Sequence, residues 1–143
     1  MSDDGSAHEA QEPNLSVPEV VTKYKAAADI VNRALQTVID GCKDGAKVLD
    51  LCRAGDTFIN KECGNIYKGK AIEKGVAFPT CVSSNSVVGH YSPNTDDATT
   101  LKAGDIVKMD AAQTPGTEWQ ALALGGWRQR GIAPAGMGRG VGV

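Results

Sequence analysis

The segment from Gly75 to Asp110, GVAFPTCVSSNSVVGHYSPNTDDATTLKAGDIVKMD, constrains the fold more tightly than any other part of the chain. Pro79 lacks a backbone N–H and disfavours a helical conformation at Phe78. Val76, Ala77 and Phe78 therefore read as extended, and Cys81 and Val82 continue the run. After the polar stretch Ser83-Ser84-Asn85-Ser86, Val87 and Val88 lead to Gly89 and His90, which together read as a β-ribbon. Ser92-Pro93-Asn94 is its exit turn. Leu101 to Asp105 reads as another turn and Ile106 to Asp110 as a strand. A histidine and an acid thus fall at strand ends.

Two helices are expected before this segment. Val20, Val21, Tyr24, Ala27, Ala28, Val31, Leu35 and Val38 recur at three- and four-residue steps, the period of one helix face. Lys23, Lys25, Asp29, Asn32, Arg33 and Gln36 occupy the other face. Ser16 and Glu19 have the spacing of a capping box, Pro18 suits a first turn, and Gly41 and Gly45 supply the stop. The first helix is therefore expected over about Pro18 to Asp40. A second is expected from about Lys47 to Tyr67, with Val48, Leu51, Cys52, Ile59, Cys63 and Ile66 as its apolar stripe. Gly55 lies on that stripe, where glycine costs about 1 kcal/mol relative to alanine. Either another backbone approaches there or the helix is locally weak.

The remaining segments are solvated or irregular. Residues 1–15 carry Asp3, Asp4, Glu9 and Glu12 with no basic side chain, and are expected to be a disordered acidic arm in which His8 is solvated. Lys68, Lys70 and Lys74 make a basic connection after the second helix. A charge run of this kind reads first as a solvated loop, with phosphate contact as the alternative. From Ala111 the pattern fails: eight of the last 33 residues are glycine, with no sustained period. Residues 111–143 are expected to be a low-complexity Gly/Ala/Arg-rich tail, with one helical turn at Trp119 to Leu124.

Composition narrows the class. One domain fits 143 residues. A net charge of −2 gives no basis for non-specific nucleic-acid binding by the whole chain. Cys42, Cys52, Cys63 and Cys81 form no C-x-x-C pair, so a structural zinc site is not expected and the cysteines read as reduced thiols. No secretory h-region or membrane span is expected. An intracellular setting follows.

The segments VVTKYKAAADIVNRAL, KVLDLCRAGDTFI, GNIYK, GVAFPT, SSNSVVGHYSPN and LKAGDIVKMD occur in order between Val20 and Asp110. Together they resemble the pita-bread clan that includes the methionine aminopeptidases, and within it the proliferation-associated, ErbB-receptor-binding branch. GVAFPT and HYSPN fit type-2 aminopeptidases equally well. TKYK, the LC-x-x-GD-x-x-I pattern and GNIYK favour the proliferation-associated branch. The resemblance implies an α+β, creatinase/aminopeptidase-like fold in which residues 16–110 form an N-terminal half. Two long helices then pack on a curved antiparallel sheet, and residues 111–143 lie outside the family pattern.

For the site, the resemblance maps the first metal ligand of the clan onto Asp110 and a substrate-pocket histidine onto His90. A two-metal peptidase needs several carboxylates to generate hydroxide and polarise a carbonyl. The second acidic ligand belongs eleven residues after the first, where this chain has Ala121, and Ala112 replaces a glycine two residues on. The expectation is therefore no catalytic residue and no complete metal site, with His90 and Asp110 as remnants and Asp96 and Asp97 as loop acids. No cofactor is expected. On the alternative reading, a type-2 aminopeptidase fragment, a divalent metal such as Co, Mn or Zn would be required.

The branch is regarded as non-catalytic. Resemblance to it implies growth regulation, ribosome biogenesis, binding of proteins and RNA or ribonucleoprotein, and residence in cytoplasm, nucleus and nucleolus. Lys23, Lys25, Lys68, Lys70 and Lys74 are the basic contacts available for an acidic partner. With the family pattern ending at Asp110, the chain reads as truncated by an alternative splice, a retained intron or a frameshifted gene model, and self-association through uncovered apolar surface is expected.

Overall fold

The first helix, α1, spans Pro18–Gly41 in a computed structural model that describes residues 14–70, 74–114 and 124–134. Its start is as expected, but its cap is not. Val17 occupies the N-cap position, and no side chain caps the helix. Asn14 closes a turn instead: its side-chain oxygen accepts the Ser16 N–H at 2.8 Å and its carbonyl accepts the Val17 N–H at 3.1 Å. This turn places Ser16 outside the helix, so Ser16 and Glu19 form no capping box. Pro18 fits the first turn because that turn has no partner for its missing N–H.

The buried face of α1 is Val20, Ala27, Ile30, Val31, Ala34, Leu35 and Val38. Ile30 and Ala34 complete the stripe, while Val21, Tyr24 and Ala28 flank it half-buried. The helix runs through Gly41, where an added Cβ would lie 2.7 Å from Leu51 Cδ2. The second helix, α2, spans Val48–Asn65 and therefore packs directly against the end of α1. Arg33 of α1 reinforces the contact, pairing with Asp29 at 2.9 Å and with Glu62 of α2 at 2.7 Å.

Gly55 answers the question raised by its place on the apolar stripe. A Cβ there would meet Thr80 Oγ1 at 2.5 Å and Thr80 Cγ2 at 2.8 Å. The close approach is real, but it is made by a strand side chain rather than by backbone. Thr80 N–H also donates to Asp56 at 2.7 Å, fixing the strand against the helix.

Among the described residues, three antiparallel strands form one sheet in the order β1-β2-β3: β1 is Gly75–Ser84, β2 Ile106–Thr114 and β3 Leu124–Gly131. The β1–β2 register shifts between Val76 and Phe78 and again between Phe78 and Cys81. Pro79 cannot donate to the ladder, and irregularities of this kind bend a strand. With α1 against β2 and β3 and α2 against β1, the fold is α+β, two long helices on one face of an antiparallel sheet. Its core runs from Ile30 and Leu35 through Ile59 to Val82, Leu101, Val107 and Met109.

Three expectations need correction. The strand expected to stop at Asp110 continues through Thr114, and residues 124–131 pair with it from Ile106 to Gln113 instead of trailing as a patternless tail. Ala111, Ala112 and Gln113 are all buried, so this half of β2 shows no alternation to read. Glycines at 125, 126 and 131 weaken the strand signal of β3, whose pairing with β2 decides its conformation. Second, Val87 and Val88 extend no ribbon: a turn at Asn85 and Ser86 ends β1, and Val88 is 89% exposed. Third, Leu124 opens β3 rather than closing a helical turn. The rest of that turn, most of the acidic arm and the end of the tail lie outside the described residues.

Candidate functional site

Strand register builds the site. Cys81 of β1 and Asp110 of β2 are direct cross-strand partners, so their side chains leave the same face of the sheet. His90 arrives from the connection that follows β1. Asn85, at φ 51°, turns the chain, and its side chain bonds the start of β2: Nδ2 donates to Asp105 at 2.9 Å and Oδ1 accepts the Ile106 N–H at 3.1 Å. Beyond His90, Tyr91 returns to β1. Its carbonyl accepts the Val82 N–H at 2.9 Å, and its N–H donates to Ser83 Oγ at 3.2 Å.

His90 is thereby held beside the strand pair in the left-handed region, at φ 60°. Its Nδ1 lies 3.5 Å from Asp110 Oδ2. The histidine side chain is 89% exposed and that of Asp110 16%, while Cys81 is buried. One ligand atom from each of Cys81, His90 and Asp110 falls within 4.8 Å of the other two. The family resemblance singles out His90 and Asp110, whereas in the sequence Cys81 reads only as one of four reduced thiols. Only the β1–β2 register reveals its partnership with Asp110.

Electrostatics distinguish these groups. Burial, and then the neighbouring Asp110 charge, push the Cys81 thiol up to about 12. Burial likewise pushes Cys42 and Cys52 up to about 11 and raises Cys63. All four cysteines are free buried thiols. Asp97, read as a loop acid, has a structural role: it accepts hydrogen bonds from the Tyr91 hydroxyl and from the Thr99 N–H at 2.8 Å. The Tyr91 hydroxyl bond, with those from Thr99, holds its carboxyl below the usual range.

The lysines divide. Lys23 pairs with Glu19 at 3.4 Å on the α1 surface. Lys25, Lys68 and Lys70 are exposed. Lys74 serves the fold: its ammonium donates to the Ile66 carbonyl and, at 3.4 Å, to that of Tyr67, both just past the end of α2. A cation at this end also complements the helix dipole.

An acid in the middle of the central strand, beside a histidine brought in by a returning loop, is the beginning of a metallopeptidase-like centre. Residues 22–116 match the model of metallopeptidase family M24, and the chain belongs to that family. It is 55% identical over 112 residues to ErbB-3 binding protein 1 of Solanum tuberosum, covering 77% of this chain and 28% of the relative. It is 51% identical over 98 residues to proliferation-associated protein A of Dictyostelium discoideum, covering 68% and 26%. A solved thermophilic Arx1 matches with a TM-score of 0.71 at 26% identity, covering 85% of this chain and 32% of that one. The chain thus spans about 28% of the length of the first of these relatives. The pita-bread resemblance and its proliferation-associated branch are both upheld.

The described residues do not by themselves make a two-metal centre. Among the described residues, Cys81, His90 and Asp110 are the group close enough to share a cation, and Asp110 is its sole carboxylate. A dinuclear centre requires carboxylates that span both ions.

Proposed function

We propose that the chain acts by binding macromolecules rather than by hydrolysing peptides, as a non-catalytic relative of the proliferation-associated proteins. Its partners are proteins and ribonucleoprotein particles of ribosome biogenesis, its setting the cytoplasm and nucleus, and its consequence growth regulation. The 55% identity to ErbB-3 binding protein 1 over 112 residues carries this reading, alongside a Cys81, His90 and Asp110 group with a single carboxylate among the described residues. The likeness to Arx1 supports the ribosomal partner. Exposed Lys25, Lys68 and Lys70 offer the contacts for an acidic surface, while Lys23 and Lys74 are engaged within the chain. No cofactor is needed for this role.

Co-sedimentation tests it. The tagged chain should comigrate with ribosomal precursor particles on a gradient and lose part of that association when Lys25, Lys68 and Lys70 are changed together to Glu. Sedimentation only as free protein would reject the partner. Release of methionine from a short peptide with added cobalt or manganese would reject the non-catalytic reading.

A further inference from the structure

We propose that Cys81, His90 and Asp110 form a mononuclear site for a borderline-soft divalent cation of the zinc class. Three ligand types converge on one point from three parts of the chain: a thiol from β1, a carboxylate from its cross-strand partner on β2, and an imidazole from the loop between them. A tetrahedral ion lies about 2.3 Å from sulfur and about 2.1 Å from nitrogen or oxygen, which sets its ligand atoms roughly 3.4–3.6 Å apart. His90 Nδ1 and Asp110 Oδ2 already stand at 3.5 Å. With all three atoms within 4.8 Å of one another, side-chain adjustments of about 1 Å close the set.

The donor set selects the cation. A thiolate disfavours magnesium and calcium, whereas imidazole with thiolate and one carboxylate suits zinc or cobalt. Three protein ligands leave the fourth position to water. Entry is open, since the His90 side chain is exposed. On binding, Cys81 gives up the proton it donates to the Pro79 carbonyl at 3.2 Å, and that proton passes to solvent with no change of oxidation state. The site differs from a two-metal centre because a thiolate, rather than a second carboxylate, completes it.

Cobalt supplies the readout. Titrating the reduced, chelator-treated full chain with Co2+ should produce a sulfur-to-cobalt charge-transfer band saturating at one ion per chain, and Zn2+ should abolish it. Cys81→Ser should remove the band. His90→Gly should weaken cobalt binding at least ~10-fold, a loss that outer partners of a metal site already cause. Glycine accepts the left-handed backbone at this exposed position, so this variant keeps the test valid even where Cys81→Ser fails to fold. No band in the unsubstituted chain, or unchanged band and affinity in His90→Gly, overturns the proposal.

Discussion

Asp97 and Asp105 each stabilise a loop by accepting hydrogen bonds that only the ionised carboxylate accepts fully. Asp97 takes those from Tyr91 and Thr99; Asp105 takes the Asn85 side chain at 2.9 Å and the Lys102 N–H at 2.8 Å. Both are held below the ordinary carboxylate value, Asp97 chiefly by Tyr91 and Asp105 chiefly by Asn85. The folded chain therefore binds these protons more weakly than the unfolded chain. Their contribution is present above about pH 3.9 and is lost as pH falls through the lower folded values. Urea midpoints should decline below about pH 4, and the decline should be shallower in Asp97→Asn/Asp105→Asn. An identical slope in that variant would remove both residues from the account. The thiols carry the opposite sign. Raised by burial, Cys42 and Cys52 hold their protons in the folded chain when the unfolded chain releases them, from about pH 8.5. Stability should be intact below that pH and fall towards about pH 11, as alkaline urea titrations would show. A midpoint that stays level over this range would contradict it. At this scale the resemblance picks out His90 and Asp110, and the fold sets them 3.5 Å apart. Cys81 was not legible, because cross-strand register is a property of the folded sheet.

At the level of elements, periodicity located both helices, while the contacts that end and join them stayed hidden. The start at Pro18 was legible, but Asn14 rather than Ser16 closes the entry turn. Gly55 is the clearest junction. In an isolated helix, Gly55→Ala should gain about 1 kcal/mol from helix propensity. Here the new methyl group would sit 2.5 Å from Thr80 Oγ1, and the strand is tied down by the Asp56 bond to Thr80 N–H. Overpacking of this kind costs about 1–3 kcal/mol, so the substitution should be net destabilising. Thr80→Ala removes Oγ1 and Cγ2, and Oγ1 is buried without a hydrogen-bond partner. Gly55→Ala should consequently be better tolerated in the Thr80→Ala background. Urea melts of the four proteins in this cycle would measure the coupling, and additive effects would mean that the junction yields freely.

Across the whole molecule the decisive element is β3, which was illegible because its glycines weaken strand propensity and its conformation depends on a partner strand. β2 is central, paired with β1 on one side and β3 on the other. β3 also packs against α1, where the Arg130 guanidinium reaches the Ile39 carbonyl at 3.5 Å. Past its end, Ile132 is buried in the core and exchanges two backbone hydrogen bonds with the turn before β2, to Asp105 and from Gly104, each 2.9 Å. A chain cut after Thr114 would leave one edge of β2 unpaired, uncover part of α1 and lose the Ile132 seat. An unpaired hydrophobic edge favours intermolecular pairing. The cut chain should lose its cooperative thermal transition and associate, as calorimetry and light scattering would report. Ile132→Ala isolates the side-chain contribution without removing the strand, and should cost about 2–5 kcal/mol by urea denaturation. If the cut chain and Ile132→Ala both melted like the parent, residues 124–132 would be an appendage, and the fold would be complete in its two helices and first two strands.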